Sequence, residues 1–251
     1  MPSEPSHAAG PRRVQRVRHE LRRRDVRVTA VTPLSDHFTS ITFGAESLAD
    51  FTSLSFDDHV KFMFGGASGE LVMRDYTPRR FSREQRTLTI EFALHGHGPA
   101  SEWARTARVG ASAVIGGPRG SMIVPTDYDW HLLAGDASAL PAMHRRLEEL
   151  PASTRALVLV QAGADEHRDL ASAAPLQLQW VEDADAWLAA LRALPLPPGA
   201  GYVWCAGEAS VMAKARAIVF DEKRHPREHA KVAAYWKQGQ ADFHEPREAA
   251  G

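Results

Sequence analysis

Two rhythms divide the chain. From Val26 onward apolar and polar residues alternate in short runs: Val26 to Ala30, Thr39 to Phe43, Val60 to Phe64, Leu71 to Tyr76, Thr87 to Leu94 and Ala113 to Ile115. A period of two sends successive side chains to opposite faces, as a half-buried strand requires. Gly, Pro, Asp and Ser punctuate the runs, which predicts an antiparallel barrel of six strands interrupted by one helix at about residues 100–107. After Asp129 the apolar runs become continuous: Trp130 to Ala134, Ala156 to Val160, Leu176 to Val181, Tyr202 to Ala206 and His229 to Trp236. Helical spacing fills 139–150, 184–194 (closed by Pro195 and Pro197) and 208–224. Buried strands alternating with helices predict a doubly wound parallel sheet. The expected organisation is therefore an N-terminal antiparallel six-stranded barrel over 25–128 and a C-terminal doubly wound parallel α/β domain over 129–251. Residues 1–24 precede both as a basic arm carrying Arg12, Arg13, Arg16, Arg18, Arg22, Arg23 and Arg24, and read as disordered.

Composition narrows the function classes. Thirty Lys and Arg against 31 Asp and Glu leave a formal charge of -1, which argues against a protein built to bind nucleic acid. Cys205 is the single cysteine, so this chain alone forms no internal disulfide and no Cys-ligated zinc or iron–sulfur site. No apolar run approaches the roughly 18 residues a membrane helix needs, and Met1 to Gly10 has no apolar signal core. No membrane partner and a cytoplasmic location are expected. His95, His97, His225, His229 and His244 are scattered without metal-ligand spacing, so no protein-held metal is expected. No long amphipathic helix or exposed apolar strand stands out, and a monomer is the plain expectation.

Two motifs flank the clean strand at Thr87 to Leu94. Arg74-Asp-Tyr-Thr77 ends the preceding strand. A flavin dinucleotide needs a cation for its pyrophosphate, an aromatic face against its ring and a hydroxyl near N5; Arg74, Tyr76 and Thr77 are the matching chemistries. Gly98-Pro-Ala-Ser101 then leads into a helix, where glycine permits close approach and backbone N–H groups point outward at a phosphate. The order and spacing of the pair resemble those of the ferredoxin–NADP reductase superfamily.

Longer segments carry a narrower resemblance. Arg74-Asp-Tyr-Thr-Pro-Arg79, Leu94-His-Gly-His-Gly-Pro-Ala-Ser-Glu-Trp-Ala104, Gly116-Gly-Pro-Arg-Gly-Ser121, Leu132-Leu-Ala-Gly-Asp136 with Ala139-Leu-Pro-Ala142, Trp204-Cys-Ala-Gly-Glu208 and Tyr235-Trp-Lys-Gln-Gly239 together resemble the siderophore-interacting proteins, or ferric-siderophore reductases. The resemblance spans about residues 25–240. It implies non-covalent FAD, lined by Arg74, Tyr76, Thr77 and Arg79, with His95, Gly96, Gly98, Ala100, Ser101 and Trp103 on the pyrophosphate side. Thr77 is the residue expected to act at the flavin. NADPH or NADH is the implied donor, held at the strand ends by Gly135, Asp136, Ser138, Gly207 and Glu208, although no Gly-x-Gly-x-x-Gly fingerprint is present. Ala137 stands where the family often has an acid. The ferric siderophore is the implied substrate. Its iron is released on reduction because Fe(II) is held more weakly than Fe(III) by hard oxygen donors. Lys61, Lys231 and Lys237 are the expected contacts to a bulky, often anionic chelate. Three other readings stay open: reduced ferredoxin as donor, a general flavin or quinone reductase, and a siderophore- or flavin-binding protein without turnover.

Overall fold

The computed structural model describes residues 14–66, 69–94, 98–240 and 243. Its first half is a seven-stranded antiparallel sheet built from β2 (Arg23–Ser35), β3 (Phe38–Gly44), β4 (Val60–Gly65), β5 (Leu71–Tyr76), β6 (Arg80–Ser82), β7 (Thr87–Ala93) and β8 (Ser112–Gly116). The spatial order is β5-β4-β8-β2-β3-β7-β6. Strand β2 makes the sheet curl. Its first residues pair with β8 and its later ones with β3, and its register shifts between Val28 and Ala30 and again between Pro33 and Ser35. Such bulges bend a strand and let a sheet wrap around its own core. Ile41, Phe43, Val60, Phe62, Leu88, Ile90, Phe92 and Ile115 fill the interior with no exposed surface. Helix α1 (Pro99–Thr106) closes one end, with the Trp103 ring centroid 4.8 Å from that of Phe62.

Two expectations are corrected here. The barrel has a seventh strand, β6, too short at three residues to show a period of two. The arm is ordered from Val14: β1 (Gln15–Arg18) pairs antiparallel with β9 (Gly120–Ile123). Arg24, expected in a disordered segment, is buried, with its guanidinium donating to the Ser47 and Gly117 carbonyls and to Asp50. Pairing with β9 supplies the backbone partners that the arm's composition did not advertise. Arg12 and Arg13 lie outside the described residues.

The second half is a five-stranded parallel sheet of β10 (Trp130–Asp136), β11 (Arg155–Gln161), β12 (Leu176–Val181), β13 (Gly201–Glu208) and β14 (Ala230–Trp236), ordered β12-β11-β10-β13-β14. Helices α2 (Leu140–Glu149), α3 (Ala184–Ala193) and α4 (Ala209–Ala217) pack on it, and α4 continues into a π turn at Ile218–Glu222. The order reverses between β10 and β13, the switch point where doubly wound sheets bind ligands.

The halves meet along α2, β13 and β14. Phe56 sits edge-on to Trp204 at 5.4 Å and under the Arg146 guanidinium at 5.1 Å. Arg145 donates to Ser53 Oγ (2.8 Å), the Ser53 carbonyl (3.0 Å) and the Pro78 carbonyl (2.9 Å). Arg146 donates to the Val124 and Pro125 carbonyls in the connection between the halves. Both arginines are buried, so these charge-assisted bonds replace the water lost on docking.

Candidate functional site

On β5, Arg74 lies opposite Phe62 and Tyr76 opposite Val60. Arg74 and Tyr76 therefore share the inward-facing side, as alternation requires. The Tyr76 ring packs against Phe92 (4.4 Å) and Phe62 (5.8 Å), and burial pushes its phenol pKa up. Arg74 donates to the Met73 carbonyl at 2.7 Å. Thr77 follows, buried where the strand leaves the sheet. Helix α1 lies against β5 and β7. It starts at Gly98 with no side-chain cap and with Pro99 in its first turn. At a helix start the first N–H groups have no partner within the helix itself.

Two observations test whether these residues fit FAD. Ser101 Oγ is buried and bonds to nothing among the described residues. Such an orphan costs about 1–3 kcal/mol unless a ligand or water completes it. A Cβ at Gly98 would meet no atom within 4 Å, so the fold leaves open space at the helix start. A hydroxyl with no partner among the described residues and the positive end of a helix dipole suit a pyrophosphate, with Arg74 on an adjacent strand. The residues fit the group.

Other expected residues are engaged by the chain's own groups. Arg79 is buried in the interface between the halves. It donates to Glu148 at 2.7 and 2.9 Å and faces Glu91 at 3.2 Å, so its guanidinium is committed to the chain's own carboxylates. Trp103 belongs to the barrel's aromatic cluster, and Ala100 packs on the same core. His95 and Gly96 lie outside the described residues.

At the switch point, glycines serve the chain itself. A Cβ on Gly135 would sit 2.0 Å from the Ala206 carbonyl oxygen, and one on Gly207 would sit 2.6 Å from the Asp136 carboxylate. Asp136 accepts from Ser138 N (2.9 Å), Ser138 Oγ, Glu208 N (2.9 Å) and Trp236 Nε1 (2.8 Å). Burial raises its pKa while these donors oppose the rise. Glu208 caps α4, accepting from Ser210 N and Val211 N, and takes Gln238 N at 3.3 Å. Burial works against its ionisation and is outweighed by these donors, which hold the carboxyl below its usual value.

The three lysines divide. Lys61 pairs with Asp75 at 2.7 Å, and Lys231 pairs with buried Asp57, which also accepts from Tyr235 Oη at 2.8 Å. Lys237 is exposed in the turn after β14, with no ion-pair partner among the described residues. Sequence reasoning missed Asp57, Arg145 and Glu148, which join the halves; a lone acid in a loop and charges on a helix face carry no local signal of what they will meet. Among the described residues no group of His, Cys, Asp and Glu could hold a metal ion, and no helix is long and apolar enough to cross a membrane.

A curled antiparallel sheet, a parallel α/β sheet and a phosphate-ready helix start beside an Arg-x-Tyr-Thr strand define a flavoprotein reductase. Family models agree: the siderophore-interacting FAD-binding domain matches residues 27–71 and 65–122, and the siderophore-interacting protein model matches 128–239. The chain belongs to the siderophore-interacting protein family, whose members are flavin-dependent oxidoreductases. It is 34% identical to the NADPH-dependent ferric-chelate reductase of Escherichia coli, covering 90% of this chain and 97% of that one. It is 29% identical to the ferric vibriobactin reductase ViuB of Vibrio cholerae, over 85% of this chain and 90% of the relative. A siderophore utilization protein from T. fusca superposes with a TM-score of 0.84 at 30% identity, over 92% of this chain and 99% of that one.

Proposed function

We propose that this protein reduces the iron of a ferric siderophore in the cytoplasm, with NADPH as the source of electrons. The observation that carries the reading is the unpartnered Ser101 hydroxyl at the open start of α1, beside the strand bearing Arg74 and Tyr76. The donor is inferred from the NADPH-dependent relative and the substrate from both reductase relatives. Bound FAD would supply the chemistry, taking electrons in pairs and releasing them singly. Arg74 and Ser101 would hold the pyrophosphate, and Tyr76 would present its ring to the isoalloxazine. Thr77 would place a hydroxyl at the flavin edge. Lys237 would attract an anionic chelate: among the described residues it has no ion-pair partner, whereas Lys61 and Lys231 are each paired with an aspartate. No side chain need move a proton at the iron, because electron transfer depends on proximity. The test is reduction of a ferric siderophore by the holo-protein, with Fe(II) trapped by a ferrous-specific chelator. Reduction requiring both FAD and NADPH supports the reading; indifference to the siderophore overturns it.

A further inference from the structure

The end of the parallel sheet carries an inference about how the electron donor is recognised, resting on the NADPH reading above. In doubly wound sheets the pyrophosphate of a dinucleotide sits at the switch point, against N–H groups where the first helix begins. Here those positions are filled by the chain's own carboxylates. Asp136 consumes the N–H groups of Ser138 and Glu208. Its carboxylate also lies against Gly207, at 2.6 Å from where a Cβ would be, and so fills the space that glycine leaves open. The four hydrogen bonds to Asp136 use both oxygens as acceptors, which is the ionised form's capacity. Glu208 likewise occupies the N–H groups of Ser210 and Val211 at the start of α4.

A second feature closes the same place. Trp236, at the end of β14, reaches across to Asp136 with its indole N–H, and the Gln238 N–H reaches Glu208. The segment after the last strand is thereby tied over the crevice by the two acids.

We propose that Asp136 and Glu208 form an anionic gate that denies a dinucleotide pyrophosphate its usual seat, so that the donor is recognised through its nicotinamide end. The adenylate half then adds little to binding, and the acids act as specificity determinants without touching the reacting atoms.

The experiment measures NADP+ binding to the FAD-loaded protein by calorimetry at low and high salt, for the wild type, Asp136→Asn and Glu208→Gln. Repulsion between like charges is screened by salt. The wild type is therefore expected to bind weakly and to tighten as salt rises. Each variant is expected to gain roughly three- to tenfold at low salt, and the gain to shrink at high salt. Flavin absorbance and melting temperature report whether each variant is folded, and Glu208→Gln keeps a capping acceptor should Asp136→Asn not fold. In parallel, reduced nicotinamide mononucleotide should bleach the wild-type flavin with a kcat/KM within about tenfold of that for NADPH. A wild-type affinity that falls with salt, or a loss of affinity in both variants, overturns the gate. A flavin that neither reductant bleaches overturns the NADPH reading instead, while the calorimetry still decides the gate.

Discussion

Replacing Glu148 with Gln removes a charge from the joint between the halves while keeping its shape and one acceptor. Arg79 is 2% exposed at its side chain and donates to both Glu148 oxygens at 2.7 and 2.9 Å. Breaking a buried pair costs about 3–5 kcal/mol because one charge is stranded. Two features reduce that figure: Glu91 still faces Arg79 at 3.2 Å, and the Glu148 side chain is 28% exposed. About 2–3 kcal/mol remains, which for a chain of this size is roughly 4–12 °C in Tm. The pH dependence gives an independent sign. Burial opposes ionisation of Glu148, but Arg79 and Arg80 outweigh it and hold its pKa at about 2, below the usual 4.5. A depressed carboxylate stabilises the fold above pH 4.5, and that stability is lost as pH falls from there toward 2. After discounting for solvent contact, this acid limb is worth about 1–2 kcal/mol. Thermal denaturation across pH should show the limb in the wild type and not in Glu148→Gln. His144 supplies a separate limb in both proteins. Burial, then the Arg79 charge, lowers its pKa from 6.5 to about 4, so stability from its neutral form is lost as pH falls through that window. A Tm shift below about 1 °C at neutral pH, with the acid limb unchanged, would refute the assignment of Glu148 as the countercharge of Arg79.

Ser101→Ala should weaken FAD binding about 10- to 150-fold in a fluorescence titration, the equivalent of one hydrogen bond to a charged group, without lowering the melting temperature of the FAD-free protein. Lys237→Ala should raise KM for an anionic ferric siderophore about three- to tenfold with kcat unchanged, an effect that steady-state assays should find reduced at high salt. Cys205 is buried and its thiol is pushed up to about 12, so a thiol reagent should leave it unmodified in the native protein and titrate one thiol after unfolding.

The fold was legible where one element's pattern sufficed. The alternating run from Thr87 forms β7 over Thr87–Ala93; Ala156 to Val160 is continuously apolar and lies inside the parallel sheet. Strand β1 was not legible, because Gln15 to Arg18 acquires its character from pairing with Gly120 to Ile123 rather than from its own residues. The candidate site divides along the same line. Ser101 and Tyr76 lie where local pattern placed them, at a helix start and on a strand's inner side. Arg79, two residues beyond Thr77, turns instead to Glu148 on a helix of the other half, a meeting 69 residues apart in sequence that no local spacing encodes. Asp136 and Glu208 read as ligand-binding acids at strand ends, and the structure shows each spending its lone pairs on the chain. Lys61 and Lys231 read as contacts to an anionic chelate, and each pairs with an aspartate across a strand pair or across the joint.

The central claim is electron flow through bound FAD to chelated iron. Its most direct test is the visible absorption spectrum of the FAD-loaded protein, followed anaerobically through addition of NADPH and then of a ferric siderophore. The account predicts that the flavin bands bleach with NADPH and return with the siderophore as Fe(II) appears. A flavin that bleaches only with dithionite or reduced ferredoxin, yet returns with the siderophore, would move the donor and keep the reductase. A reduced flavin that stays bleached when the ferric siderophore is added would contradict the account.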